Sequence, residues 1–411
     1  MNSLAPEVCA ETLLSDEKRN VRIFHVTSWL TRQGGGIPPV IWSLTREFRE
    51  LGMKAFVAGL RDEFLGADCG HDEVLFVAGK VLGPGSFGYS RELGDTLSGR
   101  LGSNSVVHSH GLWMHSGVAA RNASINANVP LIISPHGMLE PWALANSKWK
   151  KCMAANLFEN RNLRSAQCLH ALCEAEAENF RAYGLKNPIA IIPNGIEPAE
   201  FNAMPAYEQI ESVHPSFKNK RRLLFLSRIH PKKGLEHLLQ GWRKVVADFP
   251  NWQLVIAGGG EAQHEAHTRA LVKKLGLDGN VTFPGPVYGE EKRIALGGAD
   301  AFVLPSFSEG FSIAILEAAA SGLPVLITPQ CNFPELVSAG GGFEMEPNVA
   351  GCESGLRQLL SLLPEQRKEM GRKARNLIHV NYTWRRVARK MLEVYCWLLN
   401  QGPRPGFVFT D

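Results

Sequence analysis

Short apolar runs alternate with longer amphipathic segments along this chain, and the alternation occurs twice. In the first half, strand-like runs lie at 21–26, 55–58, 105–108, 131–134, 168–172 and 190–192, with helical patterns at 36–51, 114–126, 148–164 and 174–183. In the second half, strands are expected at 222–226, 253–257, 281–283, 301–304 and 324–327, with helices at 235–248, 262–275, 290–297 and 313–321. Strand–helix–strand alternation builds parallel sheets covered on both faces. The expected fold class is therefore α/β, as two doubly wound Rossmann-like domains. A length of 411 residues also exceeds one ordinary core. The turn Pro193-Asn194-Gly195 closes the first half, and the polar stretch 197–220 is the expected linker. The expected units are 1–200, 201–384 and a tail, 385–411. Residues 382–399 read as an amphipathic helix, with Arg385, Arg386, Arg389 and Lys390 on its polar side, either a terminal docking helix or one that lies on a membrane surface.

In such sheets ligands bind beyond the carboxyl ends of the strands. The run 301–305 reads as a buried strand and is followed by Ser308-Glu309-Gly310-Phe311-Ser312-Ile313-Ala314-Ile315-Leu316-Glu317-Ala318. Glu309 would sit in the loop, and the amides of Gly310, Phe311 and Ser312 would open the next helix. Unpaired N–H groups and the helix dipole favour an anion there. Glu317 would lie about 7 to 8 Å further along the axis, at ~1.5 Å per residue. A diphosphate on the helix end would then have one carboxylate near each of its two substituents, the layout a nucleotide-sugar needs. Arg228 and Lys233 follow another strand in Ser227-Arg228-Ile229-His230-Pro231-Lys232-Lys233-Gly234. They place a bidentate fork and a point charge where a diphosphate would lie.

Three glycine triplets occur. Gly34-Gly35-Gly36 follows the first strand, where close backbone approach to a ligand is possible. Gly258–Gly260 reads as a strand-end loop lining the donor pocket, and Gly340–Gly342 as a turn. His136, at a strand end before Gly137, is a site candidate, and His110 before Gly111 a weaker one. His108 and His110 would share a strand face. Spacing places no third ligand and there is no Asp-x-Asp, so no metal is expected. Lys148-Trp149-Lys150-Lys151, with Met153, Leu157, Arg161 and Arg164, puts basic and apolar groups on one helix. That helix is either a solvated face or a contact for an anionic membrane or a lipid-diphosphate acceptor.

Residues 1–200 carry 19 basic against 20 acidic groups, and residues 201–411 carry 25 against 20. A modest basic excess in the half with the anion site suits a nucleotide better than a nucleic-acid duplex. Residues 1–20 hold four acidic groups and no apolar segment, so no signal peptide is read. The eight cysteines form no C-x-x-C pair, so free thiols in a reducing cytoplasm are expected.

These residues resemble the retaining family 4 glycosyltransferases of the two-domain GT-B fold, over nearly the whole chain. The carriers are Gly34-Gly35-Gly36, His136-Gly137, Pro193-Asn194-Gly195-Ile196-Glu197, Arg228 with Lys233-Gly234, and Glu309 through Glu317 with Gly322-Leu323-Pro324-Val325. The stretch Pro135–Trp142 looks like the branch that builds bacterial exopolysaccharide, capsule or lipopolysaccharide. The resemblance implies catalytic roles for Arg228, Lys233, Glu309 and His136. Arg228 and Lys233 would hold the diphosphate and stabilise its departure, Glu309 would bind hydroxyls of the transferred sugar, and His136 would meet that sugar from the opposite domain. Glu317 would bind the ribose, and Gly310, Phe311 and Ser312, with Gly35 and Gly36, would line the co-substrate site. It further implies a first domain on the acceptor side, a tail returning to it, and same-face attack with retention. The co-substrate would be a UDP- or GDP-linked sugar, with no metal or other cofactor. The acceptor would be a glycan or lipid diphosphate, met in the cytoplasm or at the cytoplasmic face of the inner membrane, with no nucleic acid as partner. Glu197 where the family has Asp, Ser312 for a frequent Gly, and Gly258–Glu261 for Gly-x-Gly-Pro are departures that leave each charged role in place. A nucleotide-sugar epimerase and a non-catalytic sugar-nucleotide-binding protein are the competing readings. A phosphorylase would need a pyridoxal phosphate lysine that no sequence context suggests.

Overall fold

The computed structural model describes residues 20–62, 64, 75–79, 81–85, 87–205 and 220–410. Residues 1–20 apart from Asn20, where no signal peptide is expected, most of the linker 197–220, and Cys9 and Cys69 lie outside the described residues.

The first sheet contains β1 (Arg22–Trp29), β2 (Lys54–Leu60), β3 (Leu75–Ala78), β4 (Ser105–His110), β5 (Leu131–Ser134), β6 (Cys168–Ala171) and β7 (Ile189–Ile191). The second contains β8 (Arg221–Leu226), β9 (Trp252–Ala257), β10 (Val281–Gly285), β11 (Ala301–Leu304), β12 (Val325–Ile327) and β13 (Gly342–Glu344). A last strand, β14 (Val408–Phe409), returns to the first sheet and pairs antiparallel with β7. The strand orders are β14-β7-β6-β5-β4-β1-β2-β3 and β10-β9-β8-β11-β12-β13. Every pairing apart from β14 with β7 is parallel. The two doubly wound parallel domains expected from the alternation are therefore present. Strands such as β9 and β11 are buried at every residue, which is why they read as continuous apolar runs rather than alternating ones.

The helix Trp384–Leu398 buries Trp384, Val387, Met391, Leu392 and Tyr395 in a core shared with Ile23, Leu44, Phe48 and Val106 of the first unit. Its apolar residues recur at helical spacing and its arginines stay outside. Ile313 of the second unit packs on the same cluster, so the tail helix joins the two.

Two readings need correction. Residues 148–164 are not one α-helix: Lys148–Ala154 and Asn160–Ser165 flank a π-helical turn, Ala155–Glu159. The widened turn carries the buried Glu159 to the Trp113 amide, at 2.6 Å, a contact periodicity does not encode. The triplet at 340–342 is a turn only at Gly340, with φ +73°; Gly342 opens β13, where a Cβ would meet the Val325 carbonyl at 2.3 Å. Helices Arg91–Ser98, Val349–Leu360 and Pro364–Asn381, and strands β3, β13 and β14, were not anticipated. Pro364–Asn381 carries few apolar residues, so its periodicity is faint. Six of the cysteines are described, all as free thiols.

Candidate active site

The loops after β8 and β11 meet at Gly234. This residue has φ +69°, and a Cβ on it would lie 2.0 Å from the Pro305 carbonyl, so only glycine permits the contact. Phe307 N and Ser306 Oγ donate to the Lys232 carbonyl at 2.8 and 3.1 Å. These bonds bring Lys233 Nζ to Glu309 Oε1 at 2.5 Å, with both side chains about nine-tenths buried. The Glu309 backbone is fixed from below: its N–H donates to Gln330 O at 3.0 Å, and Asn332 Nδ2 donates to its carbonyl at 2.6 Å. Gly258 brings the loop after β9 to the same place; a Cβ there would strike the Ser227 carbonyl at 1.9 Å. Arg228, on the loop so pinned, is exposed and makes no hydrogen bond or ion pair among the described residues.

The helix Ile313–Ala320 begins at Ser312, whose hydroxyl makes no capping bond. The amides of Gly310, Phe311 and Ser312 have no protein acceptor among the described residues. They form an anion-seeking edge beside Lys233, as expected from helix-end chemistry. The Phe311 ring points elsewhere, packing on Phe333 and Tyr382 at centroid distances of 5.0 and 5.8 Å, so Phe311 offers only its backbone. Further along the helix, Glu317 accepts from Lys292 Nζ at 2.5 Å. Burial pushes the Glu317 carboxyl above its ordinary range and Lys292 pulls it back down.

The first unit contributes the loop from Pro135 to Glu140. His136 adopts φ +53° and Gly137 φ +76°. A Cβ on Gly137 would lie 3.9 Å from Gly310 N, so the two loops are in contact across the cleft. The buried Glu140 carboxylate accepts from Lys232 Nζ at 3.0 Å and from Ser308 Oγ. Glu176 accepts from the Gly137 and Leu172 amides at 2.6 and 2.7 Å, and burial pushes its carboxyl up to about 7. Cys173 Sγ and Asn194 Nδ2 donate to the Gly310 and Phe311 carbonyls at 3.2 and 3.3 Å.

The structure thus gathers Lys233, Glu309, Gly310, Phe311, Ser312 and His136, with Arg228 on the same loop as Lys233 and Glu317 further along the helix. Gly35 and Gly36 are exposed, with no atom within 4 Å of where their Cβ would be, and the next residue, Ile37, lies with Met138 about the position a Cβ on Gly111 would take. Sequence reasoning missed Glu140, Glu176, Lys232, Lys292 and Asn332. Glu140 lies within the quoted stretch 135–142, and Lys232 adjoins Lys233, so proximity to a motif was the available signal; Lys292 and Asn332 had none. It also found no third histidine beside His108 and His110. The β1 register supplies His25, opposite His108.

A second surface adjoins the loop from Pro135 to Glu140. Trp149, Met153 and Leu157 are 67%, 53% and 73% exposed, which is unusual for apolar side chains lying so close together. A neighbouring cavity of about 510 Å³ is lined by Trp113, Pro141, Leu144, Lys148, Lys151 and Tyr183, among others. No helix among the described residues is long and apolar enough to cross a membrane.

Residues 35–195 match the model of the glycosyl transferase 4-like domain, and residues 207–377 that of glycosyl transferases group 1. The chain is 30% identical to a D-inositol 3-phosphate glycosyltransferase of Pseudarthrobacter chlorophenolicus, over 72% of this chain and 71% of that protein. It is 24% identical to a GDP-mannose:cellobiosyl-diphosphopolyprenol alpha-mannosyltransferase of Xanthomonas campestris, over 73% and 76%. Against several other curated relatives it spans only about half of their length. An Anabaena protein crystallised with UDP and glucose superposes with a TM-score of 0.74 at 17% identity, covering 91% of this chain and 99% of that one. That likeness shows the GT-B fold.

Proposed function

The chain belongs to the group 1 glycosyltransferases, of GT4 type and GT-B fold, and from that premise we propose a retaining hexosyltransferase that uses a UDP- or GDP-sugar. The observation that carries this reading is the row of unpaired amides at Gly310, Phe311 and Ser312, set beside Lys233 and Glu309 at two strand ends. In the reading, the diphosphate lies on those amides and draws Lys233 from Glu309. Arg228 and Lys233 stabilise the charge that grows as the diphosphate leaves, the task a metal performs elsewhere. Glu309, released from Lys233, accepts from hydroxyls of the sugar, His136 meets that sugar from the facing loop, and Glu317 binds the ribose. Gly35 and Gly36 line the co-substrate site. The acceptor attacks from the face the diphosphate leaves, so the protein needs no nucleophile.

The acceptor is a growing glycan or a lipid diphosphate in exopolysaccharide, capsule or lipopolysaccharide synthesis. Lys148 and Lys151 in a cavity beside exposed Trp149, Met153 and Leu157 suit a diphosphate head and an apolar tail. The Xanthomonas relative, named for a diphosphopolyprenol acceptor, supports that class. The same helix would rest on the cytoplasmic face of the inner membrane. Units 1–200, 201–384 and 385–411 then hold acceptor, donor and tail.

The test is radiolabelled UDP- and GDP-hexoses, with and without membrane extract, in the presence and absence of EDTA. Label should enter the lipid-extractable fraction only with extract, and EDTA should not slow it. Conversion of the donor without extract would instead establish an epimerase, and binding without turnover a non-catalytic protein. Strict dependence on Mg²⁺ or Mn²⁺ would remove the roles given to Arg228 and Lys233.

A further inference from the structure

The first sheet buries a set of histidines that the reaction, as drawn above, does not use. His25 of β1 stands opposite His108 of β4, and His110, two residues on and so on the same face, stands opposite Ser134 of β5. They form two hydrogen-bonded chains. In one, His170 Nε2 meets the Ile192 carbonyl at 2.8 Å. A carbonyl only accepts, so Nε2 carries the proton. Ser134 Oγ then donates to His170 Nδ1 at 2.6 Å, His108 Nε2 donates to Ser134 Oγ at 2.6 Å, and Tyr395 Oη donates to His108 Nδ1 at 2.7 Å.

The other chain runs from the core to the cleft. His25 Nδ1 meets His110 Nε2 at 2.9 Å, and His110 Nδ1 meets His136 Nε2 at 3.0 Å. Its inner end, His25 Nε2, is buried without a partner among the described residues. Were the protons to run inward, that end would be a buried, orphaned N–H. Run outward, it is only an unused lone pair. Orphaned buried N–H groups are the rarer and costlier case. The protons therefore point outward, from His25 Nδ1 to His110 and from His110 Nδ1 to His136.

We propose that His110 is a positioning residue, which donates from Nδ1 to His136 Nε2 and so holds His136 as an Nδ1–H donor at the cleft. The proposal rests on the donor-site reading above. The His136 Nδ1 atom has no protein partner among the described residues, and its loop abuts Gly310. Its N–H suits what a nucleotide-sugar offers there, a sugar hydroxyl or phosphate oxygen. With its Nε2 lone pair engaged, His136 acts as a donor and not as a proton-abstracting base. Burial keeps the chain neutral: the bases of His25 and His136 are pushed down to about 3, and that of His110 lies well below the ordinary value. Ligand atoms of His25, His108 and His110 do lie within 4.8 Å of one another, as a metal would require. Yet every ring nitrogen of the three except His25 Nε2 already has a hydrogen-bond partner, so an ion would break the bonds to Tyr395, Ser134 or His136.

The experiment is two-bond ¹H–¹⁵N correlation of the histidine-labelled full chain at pH 7, with the His136 signals identified by their loss in His136→Asn. His25, His110 and His136 should be Nδ1–H tautomers, and His108 and His170 Nε2–H tautomers. His136 as the Nε2–H tautomer or the imidazolium overturns the proposal, as does a stoichiometric Zn²⁺ titration that shifts the rings of His25, His108 and His110. His110→Phe should leave His136 a mixture of tautomers and lower kcat/KM for the nucleotide-sugar at least tenfold. His110→Asn, whose amide can still donate to His136 Nε2, should restore both to within threefold. An unchanged tautomer and rate in a folded His110→Phe refutes the role, and where that variant does not fold the parent spectrum decides. Predicted tautomers in a chain that transfers no sugar would refute the transferase reading and leave the relay standing.

Discussion

Replacing Glu309 and Glu317 separately by glutamine divides the labour of the two carboxylates. Each change preserves shape and removes one charge. Glu309 is 2.5 Å from Lys233 and Glu317 is 2.5 Å from Lys292, with both carboxylates about nine-tenths buried. A diphosphate that reaches Lys233 must compete with the Glu309 carboxylate. At a separation of about 6 Å that carboxylate opposes a phosphate charge by roughly 0.7–3 kcal/mol, between watery and surface-like dielectric. Glu309→Gln should therefore bind the bare nucleoside diphosphate more tightly, roughly 3- to 100-fold. The same variant loses its charged hydrogen bond to the sugar, about 1.5–3 kcal/mol, so transfer should fall roughly 10- to 150-fold. Glu317→Gln loses a bond of similar strength to the ribose and should weaken the free diphosphate and the nucleotide-sugar alike, roughly 10- to 150-fold. Calorimetry with UDP and GDP, beside initial rates, reads all three effects. If Glu309→Gln weakens the bare diphosphate as much as Glu317→Gln does, the sugar does not lie at Glu309.

Arg228→Ala should lower kcat by roughly 10²-fold or more while changing donor affinity less, because the charge it faces grows in the transition state; turnover within threefold of the parent contradicts this. Acid should unfold the first domain. The buried bases of His25, His136 and His170 lie at about 3, 3 and 4, with His108 and His110 well below the ordinary value. Unfolded histidine titrates near 6.5, so stability is lost as pH falls below that value, at about 1.4 kcal/mol per unit per ring. Glu159 and Glu176, raised to about 7, act with the opposite sign above pH 4.5 but are outnumbered. The net loss is about 4 kcal/mol per unit between pH 6 and 5, and a urea midpoint at pH 5 that matches or exceeds the one at pH 7 would refute it. Gly234→Ala forces a Cβ toward the Pro305 carbonyl from φ +69° and should cost at least about 1–3 kcal/mol as well as loosening the Lys233–Glu309 pair; unchanged urea stability and diphosphate affinity would count against that geometry.

Local pattern was enough to identify two doubly wound α/β units, the strand–loop–helix around Glu309, and the amphipathic tail. Each of these is written in hydrophobic period and turn chemistry within single elements and the turns beside them. The motif also placed Lys233, Glu309 and Glu317 correctly on their loops and helix. What they touch was not legible. The partners of Glu309 and Glu317 lie 76 and 25 residues away in the chain, and Glu140 meets Lys232 across 92. Such pairings depend on strand order and on how one unit docks against the other, and neither is carried by a local window. The π-helical turn at Ala155–Glu159 escaped for a related reason: one added residue per turn barely disturbs periodicity, yet it turns Glu159 inward. The histidine chain shows the division most clearly. Sequence put His108 and His110 on one face of a strand, since side chains alternate with period two. Only the placement of β1 beside β4 and of β5 on the other side brought His25 and Ser134 to them, and only the returning helix brought Tyr395. A strand's faces are set by its own residues, whereas its neighbours are set by the burial of the whole sheet.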